Sequence, residues 1–564
     1  MSSWKKGLAA VASVSALGLL LAGCGANNTG GGNNTTGSAT SGKPVMGGNV
    51  VLDETQALKD LDPALAYDTQ SDEVVEQIYD QLVTYKPGNN NTQLTGMAAS
   101  SWDISSDKKT YTFHLRSGMK FSNGDPVTAQ SFIDEFQRVA TKTLGSGGEY
   151  FIENIVGEQD FYNGKAKTIS GLSAPDANTL VIKLMAPNAA ELNVLAMPFF
   201  SAVDMSYINQ VGNKSFDSTK AMGSGPFEVQ TINSNEVVLK KNPNYWMTDQ
   251  YGNHLPYLNQ ITIRTNSNAQ VDALNFEKGT TAWLGMQQSI PSSAFPQFQA
   301  SPTLSKLMYK VPQNSVFYLG LNNKIAPFNN PTVRQAMEYA INKAAVIKLY
   351  NGRGIVANQP LPPNMPGYMK SLPSDVDYTY NPTKAKQLLQ QANVDPSKTT
   401  LTLYSANDPD QMKEDQSIQQ DLQSIGFTVK IKATTWGPFL DVAEKGNAQM
   451  FCSGWLQDYP DPGDFMFLFQ SNQAPVNNME MYSNKQVDQW LAQANTSTDQ
   501  QQRINLYDQA TVQVMKDAPW VPIYYPVTYY AVQSWVHGWY PPAALMDPMV
   551  RVWIDQSHSA TSAS

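Results

Sequence analysis

The chain has 564 residues, of which 41% are hydrophobic and 15% are charged, and its formal net charge is −9 at pH 7. This length exceeds a single core, since domains mostly run about 50–250 residues, so we expect two or three domains. The composition excludes a largely disordered chain. The absence of a basic stripe from the sequence argues against nucleic acid as a partner.

The N-terminus has the order of an export signal. Lys5 and Lys6 give a positive start, an apolar run follows at 7–21, and small residues precede Cys24. The run is too short to span a membrane and ends at a cleavage-type site, so we predict a signal peptide at 1–23. The sequence LAGC, which ends at Cys24, resembles a bacterial lipobox. An ordinary signal with an accidental cysteine is the alternative.

The lipobox resemblance implies that Cys24 carries a diacylglyceryl group and palmitate and becomes the mature N-terminus. The Gly, Asn, Thr and Ser tract at 24–44 has little to bury and is predicted to be a flexible linker. The folded body would then be tethered to the outer face of the bacterial cell membrane, because two acyl chains anchor stably. Cys452 would lack a disulfide partner, so stability must come from core size.

The first part of the body alternates between strand and helix periods. A strand is predicted at 48–54, and apolar residues at helical spacing predict a helix that includes Val74 and Leu82. Alternation at 111–115 predicts a half-buried strand. Thr128 is the predicted N-cap of the next helix.

The second part repeats this alternation. Two strands joined at 233–235 are predicted, and Pro331 opens an amphipathic helix whose buried face extends to Ala344. A strand at 401–406, a helix at 411–425 and a strand at 427–433 predict a βαβ unit. Such a unit implies a partly parallel sheet and an α/β fold.

Motifs for catalysis and metal binding are weak in this sequence. The four histidines, at 114, 254, 537 and 558, are far apart and lack metal-ligand spacing. An S-x-x-K match at 105–108 falls in a polar stretch and is interpreted as a turn. We predict no enzyme activity, no catalytic residue, no metal and no cofactor. A pair of carboxylates that converge in the fold, as in a glycosidase, stays open.

Several stretches, in order, resemble the peptide-binding family of bacterial extracellular solute-binding proteins (family 5). They include the stretch at 61–85, the signature-like stretch at 102–139, and the later GWLQDYPDP and APWVPIYYP. The resemblance covers about 48–548, and the nearest members are oligopeptide-binding lipoproteins of ABC importers. It implies a two-lobed, hinged α/β fold of the periplasmic-binding-protein type (type II, cluster C) with an extra domain inserted in the first lobe.

The family layout also implies domain limits. Lobe one is expected to use three segments, at 45–84, 200–312 and 508–564. The inserted domain is expected at 85–199 and lobe two at 313–507. Ligand would be held between lobes that close as a population shift, driven by contacts that only the closed state makes.

The resemblance assigns a role to an acid among aromatic rings in CSGWLQDYPDPGDF. In peptide-binding members, an Asp three residues after a Trp binds the α-amino group of the peptide, and the matching pair is Trp455 and Asp458. An ionised carboxylate withdrawn from water is costly unless it is paired, and an ammonium supplies both charge and donors. The peptide backbone would pair with residues 452–455, which include Gly454, and with residues 61–68.

Other site residues follow from the same resemblance. Trp436 matches a pocket tryptophan of some members. Cys452 stands where some members carry an Arg near the ligand, so a fixed cation for the peptide carboxylate is in doubt. Lys348 and Arg353 are nearby cationic candidates, or else solvated surface charges. The stretch around Asp458 also has the composition of a turn, and Asp461 and Asp464 are predicted to cap a helix or to lie in a turn.

The leading hypothesis is therefore a monomeric, lipid-anchored protein that binds oligopeptides and delivers them to the permease subunits of an ABC transporter. The same fold could instead bind a signalling peptide, a nickel chelate, haem or a sugar. An extracellular hydrolase and a purely structural surface protein are the remaining alternatives.

Overall fold

The computed structural model describes residues 43–55, 58–88, 92–266, 268–284, 290–541 and 549–559. Cys24, the predicted signal peptide and most of the predicted linker lie outside these residues. Within the described ranges, no helix is both long and apolar enough to cross a membrane.

The strands, labelled in chain order, are β1 Asn49–Glu54, β2 Val83–Tyr85, β3 Leu94–Gly96, β4 Ala99–Ile104, β5 Thr110–Leu115, β6 Leu172–Asp176, β7 Thr179–Lys183, β8 Phe227–Ile232, β9 Glu236–Lys241, β10 Gln260–Thr265, β11 Met308–Pro312, β12 Ser315–Leu321, β13 Gly354–Val356, β14 Thr400–Ala406, β15 Thr428–Thr434, β16 Met450–Leu456, β17 Trp520–Ala531, β18 Val536–His537 and β19 Trp553–Ile554.

The α-helices are α1 Thr69–Ile78, α2 Ala129–Val139, α3 Glu158–Tyr162, α4 Glu191–Val194, α5 Met205–Val211, α6 Asn213–Ser218, α7 Ala269–Glu277, α8 Phe295–Ala300, α9 Pro331–Ala340, α10 Lys343–Leu349, α11 Pro382–Gln391, α12 Pro409–Ser424, α13 Trp436–Ala443, α14 Gly463–Met466, α15 Lys485–Thr496, α16 Gln500–Asp517 and α17 Gln556–Ser559. Short 3-10 turns fall between them, at Glu149–Ile152, Pro198–Phe200, Leu304–Leu307, Pro396–Lys398, Phe467–Phe469, Ser471–Gln473 and Met549–Arg551.

Three larger sheets organise the described part of the body. One has the order β1-β10-β9-β8, and a second, mixed sheet has the order β11-β17-β12-β16-β14-β15, with β13 also paired to β17. A third sheet, of order β4-β5-β7-β6, packs against α2. The predicted βαβ unit is confirmed, because β14 and β15 pair in parallel with α12 between them.

The mixed sheet is covered on both faces, because successive side chains of a strand point to opposite sides. Leu319 of β12 and Cys452 of β16 join a cluster with α9 and α12. Tyr318 and Phe451, one residue away in each strand, join a second cluster with α15 and α16. In that second cluster the Tyr318 ring stacks on Trp520 at a centroid distance of 3.5 Å.

Two predicted helices end earlier than their hydrophobic patterns. The helix predicted through Leu82 ends at Ile78, and Leu82 is buried in the chain that follows. The helix predicted from Pro331 ends at Ala340, because Asn342 starts a new helix by accepting a hydrogen bond from the Ala345 N–H. Ala344 was predicted to be buried and is exposed, since it belongs to this second helix.

The predicted domain limits remain predictions. The predicted limit at 507/508 falls inside α16, and β17, which follows it, pairs with both β11 and β12. The predicted limit at 199/200 falls within the turn Pro198–Phe200.

A buried charge network fastens α2 to the segment before α1. The Arg138 guanidinium donates to Asp62 Oδ1 at 3.0 Å and to Glu135 Oε2 at 2.6 Å, and it also pairs with Asp62 Oδ2. Its side chain is 8% exposed, and those of Asp62 and Glu135 are fully buried. Burial raises the pKa of Glu135 to about 8, although the Arg138 charge opposes that rise.

Candidate functional site

Asp458, the acid between Trp455 and Tyr459, lies in the loop that follows β16. This strand pairs along its whole length with β12, and Leu456 is its last residue. The first residue of the loop, Gln457, is held in place by two hydrogen bonds to Asn314. The Gln457 N–H donates to the Asn314 carbonyl at 3.0 Å, and the Asn314 side-chain amide donates to Gln457 Oε1. Trp455, the last residue but one of the strand, is half-buried, and Asp458 is the second residue of the loop.

Asp464 holds this loop in shape from the first turn of α14. Its Oδ2 accepts from the Asp458 N–H at 3.1 Å and from the Trp455 ring N–H at 3.3 Å. Burial and the charge of Asp458 raise the pKa of Asp464 well above its usual range. The prediction that Asp464 only caps or turns was incomplete, because its carboxylate supports both residues of the predicted ligand pair.

Asp461 is also more than a turn residue. Its carboxylate accepts the Gly463 N–H at 2.8 Å, as a turn residue would, and it is buried against the Arg503 guanidinium at 2.8 and 2.9 Å. This pair ties the loop to α16.

Asp458 contacts the segment before α1 through Tyr67. The Tyr67 hydroxyl donates to Asp458 Oδ2 at 2.9 Å. Tyr67 lies two residues before α1, and its ring is 44% exposed. Burial raises the pKa of Asp458 to about 7, and the hydrogen bond from Tyr67 opposes the rise. The arrangement can accept a charged donor in place of this neutral one.

A pocket opens beside Asp458 and combines acids with apolar walls. It is lined by Tyr67, Asp72, Glu76, Tyr85, Asn193, Ala196, Met197, Pro198, Phe199 and Asp458. Sequence reasoning included Tyr67 only within the expected backbone-contact range 61–68, and it did not single out Asp72. The available signal was the pair of acids one helical turn apart, at Asp72 and Glu76, on a helix with no basic residue.

Aromatic rings surround the loop on its other sides. The Trp455 ring meets Phe467 edge-on at 5.5 Å, and Tyr459 meets Phe151 at 6.3 Å. Phe151 also lies 6.4 Å from the Tyr67 ring. Such rings exclude water and strengthen any charge interaction of Asp458.

Two further predicted residues lie on β16. Gly454 is exposed and paired with Phe317 of β12. Cys452 is 2% exposed in the core, where burial and the charges of Asp415 and Glu414 raise the pKa of its thiol. Its side chain lies on the face of the sheet that α9 and α12 cover, beside Asp415 and Glu414 of α12.

The remaining predicted residues are dispersed. Trp436 is the first residue of α13 and is 57% exposed, and Lys348 is exposed on α10. Arg353 is buried, and its guanidinium donates to the Ile290 carbonyl at 2.7 Å and to the Ser292 hydroxyl. Of the residues that the structure describes, neither these three nor Gly454 and Cys452 line the pocket beside Asp458.

Arg353 lines a separate pocket of its own. Asp408 and Asp410 share that pocket, and Ser292 donates to Asp410 at 3.0 Å. Burial lowers the pKa of Arg353, and the Asp410 charge opposes that change. The guanidinium thus joins residues 290–292 to the segment after α10.

Comparison with known proteins gives a consistent class. Residues 93–477 match the family described as "Bacterial extracellular solute-binding proteins, family 5 Middle". The chain is 28% identical to the dipeptide-binding protein of Escherichia coli over 494 residues, which are 84% of this chain and 87% of that protein. It is also 28% identical to heme-binding protein A of Haemophilus influenzae, over 94% of this chain and 96% of that one.

Solved structures agree with this likeness. The periplasmic binding protein DppA of Helicobacter pylori, in complex with the peptide STSA, superposes with a TM-score of 0.77 at 28% identity, over 91% of this chain and 99% of that one. The murein tripeptide binding protein MppA of Escherichia coli superposes at 0.78 with 23% identity, over 91% and 99%. This second likeness shows the fold alone.

The chain has the two-lobed α/β fold of a solute-binding protein. The chain belongs to family 5 of the bacterial extracellular solute-binding proteins. The predicted family and fold class are confirmed.

Proposed function

We propose that this chain is the substrate-binding lipoprotein of an ABC transporter, which captures oligopeptides between its lobes and delivers them to membrane permease subunits. The contact between Asp458 and Tyr67 carries the proposal, because a carboxylate of one lobe there meets a donor of the other. The peptides named for relatives support the same ligand class. We further propose a monomer that lipid on Cys24 holds at the outer face of the membrane.

The α-ammonium of a peptide is the ligand group that suits Asp458. A carboxylate accepts a charged donor more strongly than a neutral hydroxyl. The ammonium would therefore displace Tyr67 from Oδ2, while Asp464 keeps the loop in place. Because the surrounding groups include both lobes, this binding would favour the closed arrangement.

The peptide backbone would lie along β16. Strand β14 pairs with β16 only at Met450 and Phe451, whereas β12 pairs along the whole strand. In the described part of the sheet, one edge at 452–456 is thus without a neighbouring strand, and an extended peptide could add there. Gly454 has no side chain to obstruct that approach, so we propose it as a backbone contact.

Peptides of varied length fit this arrangement best. The Arg353 guanidinium is engaged with the Ile290 carbonyl and the Ser292 hydroxyl and shares its pocket with two acids. A peptide carboxylate would meet those acids, so we infer that the C-terminal end has no fixed cation there. Trp436 and Lys348 are exposed and could contact the far end of a longer peptide.

Haem is the second candidate, because one relative is named as heme-binding protein A. Haem carries anionic propionates, whereas the pocket beside Asp458 is lined by Asp72, Glu76 and Asp458 itself. Like charges placed together are unfavourable. The acidic lining therefore supports a cationic ligand group over haem.

Blocking the peptide amine tests the proposal. Trialanine and N-acetyl-trialanine are titrated against the purified protein by calorimetry, with haem in a parallel titration. We expect the free peptide to bind and acetylation to weaken it at least about thirtyfold, the lower end of the cost of losing a desolvated charge partner. Equal affinity of the two peptides, or tight binding of haem alone, contradicts the proposed function.

Peptide affinity should also depend on pH in a direction that Asp458 fixes. Because burial raises the pKa of Asp458 to about 7, the carboxyl is increasingly protonated below that pH and must lose a proton to bind the ammonium. The peptide amine loses its own proton above about 8. We expect affinity to be greatest between about pH 7 and 8 and to fall toward pH 5.5. In Asp458→Asn the acid-side fall should shrink, and a flat profile in the parent would contradict the assignment.

A further inference from the structure

Ser292 makes hydrogen bonds to three residues that lie far from it in the chain. Its carbonyl accepts from the side-chain amide of Asn351 at 2.9 Å. Its hydroxyl accepts from the Arg353 guanidinium and donates to Asp410 Oδ2 at 3.0 Å. Hydrogen bonds in which one partner is charged are stronger than neutral ones. One small side chain therefore joins its segment both to the residues after α10 and to the first turn of α12.

These hydrogen bonds cross between two hydrophobic cores. Ile290 and Phe295, on either side of Ser292, are buried in a cluster with residues of α7 and α8, and α7 packs against β1. Residues of α10 and α12 are buried in a different cluster, on one face of the mixed sheet. Strand β17 passes from one core to the other, because Ile523 is buried in the second cluster and Ala531 in the first.

Polar contacts occupy the boundary between the two cores. Ser292, Arg353 and Asp410 line a pocket there that is open to solvent. The Arg353 guanidinium also donates to the Ile290 carbonyl at 2.7 Å and lies 4.9 Å from the centre of the Phe295 ring. Water competes for hydrogen bonds at such a boundary, so each bond contributes a modest net free energy and can be broken and remade. The boundary is therefore suited to movement.

We propose that these two cores belong to different lobes, and that Ser292 is a positioning residue that stabilises the closed arrangement. Its bonds to Arg353 and Asp410 would break when the lobes open. Among the described residues that line the pocket beside Asp458, none of these three is included, so Ser292 acts on closure and not on the amine anchor. Its effect on affinity rests on the proposed function, because the peptide must be bound between the lobes.

The test removes one hydroxyl and keeps the backbone. Ser292→Ala is compared with the parent and with Ser218→Ala, whose hydroxyl donates to the Lys214 carbonyl within α6. Trialanine and its C-terminal amide are titrated by calorimetry. We expect Ser292→Ala to bind both peptides about tenfold more weakly, as for one lost hydrogen bond to a charged group, and the control to bind as the parent does. A loss confined to the free-carboxylate peptide would place Ser292 against the peptide and overturn the proposal.

The shape of the protein without peptide gives a second readout. Solution X-ray scattering should show a larger radius of gyration for Ser292→Ala than for the parent, and saturating trialanine should restore the parent's value. A local folding defect would not be reversed by peptide. Asn351→Gly removes the other side-chain bond and suits the positive φ of 55° at that position, so it should shift shape and affinity in the same direction. If Ser292→Ala does not fold, Asn351→Gly decides.

The outcomes separate this inference from the proposed function. If the parent binds trialanine and acetylation weakens it, while both variants match the parent in shape and affinity, the role of Ser292 is wrong and the amine anchor stands. If the parent binds no peptide, the proposed function falls and scattering decides the inference alone. Equal radii of gyration for the parent and both variants would then overturn it, and larger radii in the variants would support it.

Discussion

Replacing Asp458 by asparagine is expected to weaken the binding of an unblocked tripeptide by about 2–5 kcal/mol, as for other desolvated charge partners. Asparagine keeps the size of the side chain and can still accept from Tyr67, so the loop should keep its shape. What is lost is the negative charge that faces the peptide ammonium. Calorimetry of trialanine against the parent and the variant measures the difference.

A double-mutant cycle makes this result specific. In the parent, acetylation of the peptide removes the ammonium, and in Asp458→Asn the same acetylation should change the affinity little, because the partner charge is already gone. Asp441→Asn, on the exposed face of α13, is the matched control and should bind as the parent does. If acetylated and free peptides keep the parent's difference in Asp458→Asn, another group binds the amine.

The second large effect is on stability. Replacing Arg138 by methionine should lower the free energy of unfolding by about 3–5 kcal/mol, because it leaves Asp62 and Glu135 buried without their cation. Urea denaturation followed by circular dichroism measures the loss. Lys445→Ala, which removes an exposed pair with Asp441, should change stability little.

The pH dependence identifies the cause of that loss. A carboxyl whose folded-state pKa is raised binds its proton more tightly in the folded state, so its contribution to stability grows as pH falls through that pKa. Burial raises the pKa of Glu135 to about 8 even beside Arg138. Without Arg138 that pKa would rise further, so the deficit of Arg138→Met relative to the parent should shrink as pH falls toward about 8, where Glu135 is already protonated in the variant and still charged in the parent. A deficit that stays constant as pH falls toward this value would point to lost packing instead of unpaired charge.

Local patterns in the sequence predicted much of the fold. The βαβ unit from β14 to β15 and the strand Thr110–Leu115 follow from hydrophobic periods that depend only on neighbours along the chain. Helix ends were harder to predict. The break between α9 and α10 depends on Asn342, whose side chain caps a helix in the middle of one continuous apolar pattern.

The site was predictable only in part, because its contacts join distant segments. Asp458 and Trp455 were predicted through a motif, whereas the hydrogen bond from Tyr67 connects residues 391 positions apart. Asp464 was predicted to be a turn residue because its sequence neighbours are turn formers, and its hydrogen bonds to Trp455 and Asp458 exist only in three dimensions. Cys452 was placed near the ligand by alignment, whereas strand alternation buries it.

The Tyr67 hydroxyl occupies the position at Asp458 Oδ2 that the peptide ammonium is proposed to take. Because this internal hydrogen bond is available, closure of the lobes would not by itself report that a peptide is bound. An ammonium binds a carboxylate more strongly than a neutral phenol does, so a bound peptide would stabilise the closed arrangement more than Tyr67 alone. A permease that responds to the more stable closed arrangement would therefore use ATP mainly for protein that carries a peptide.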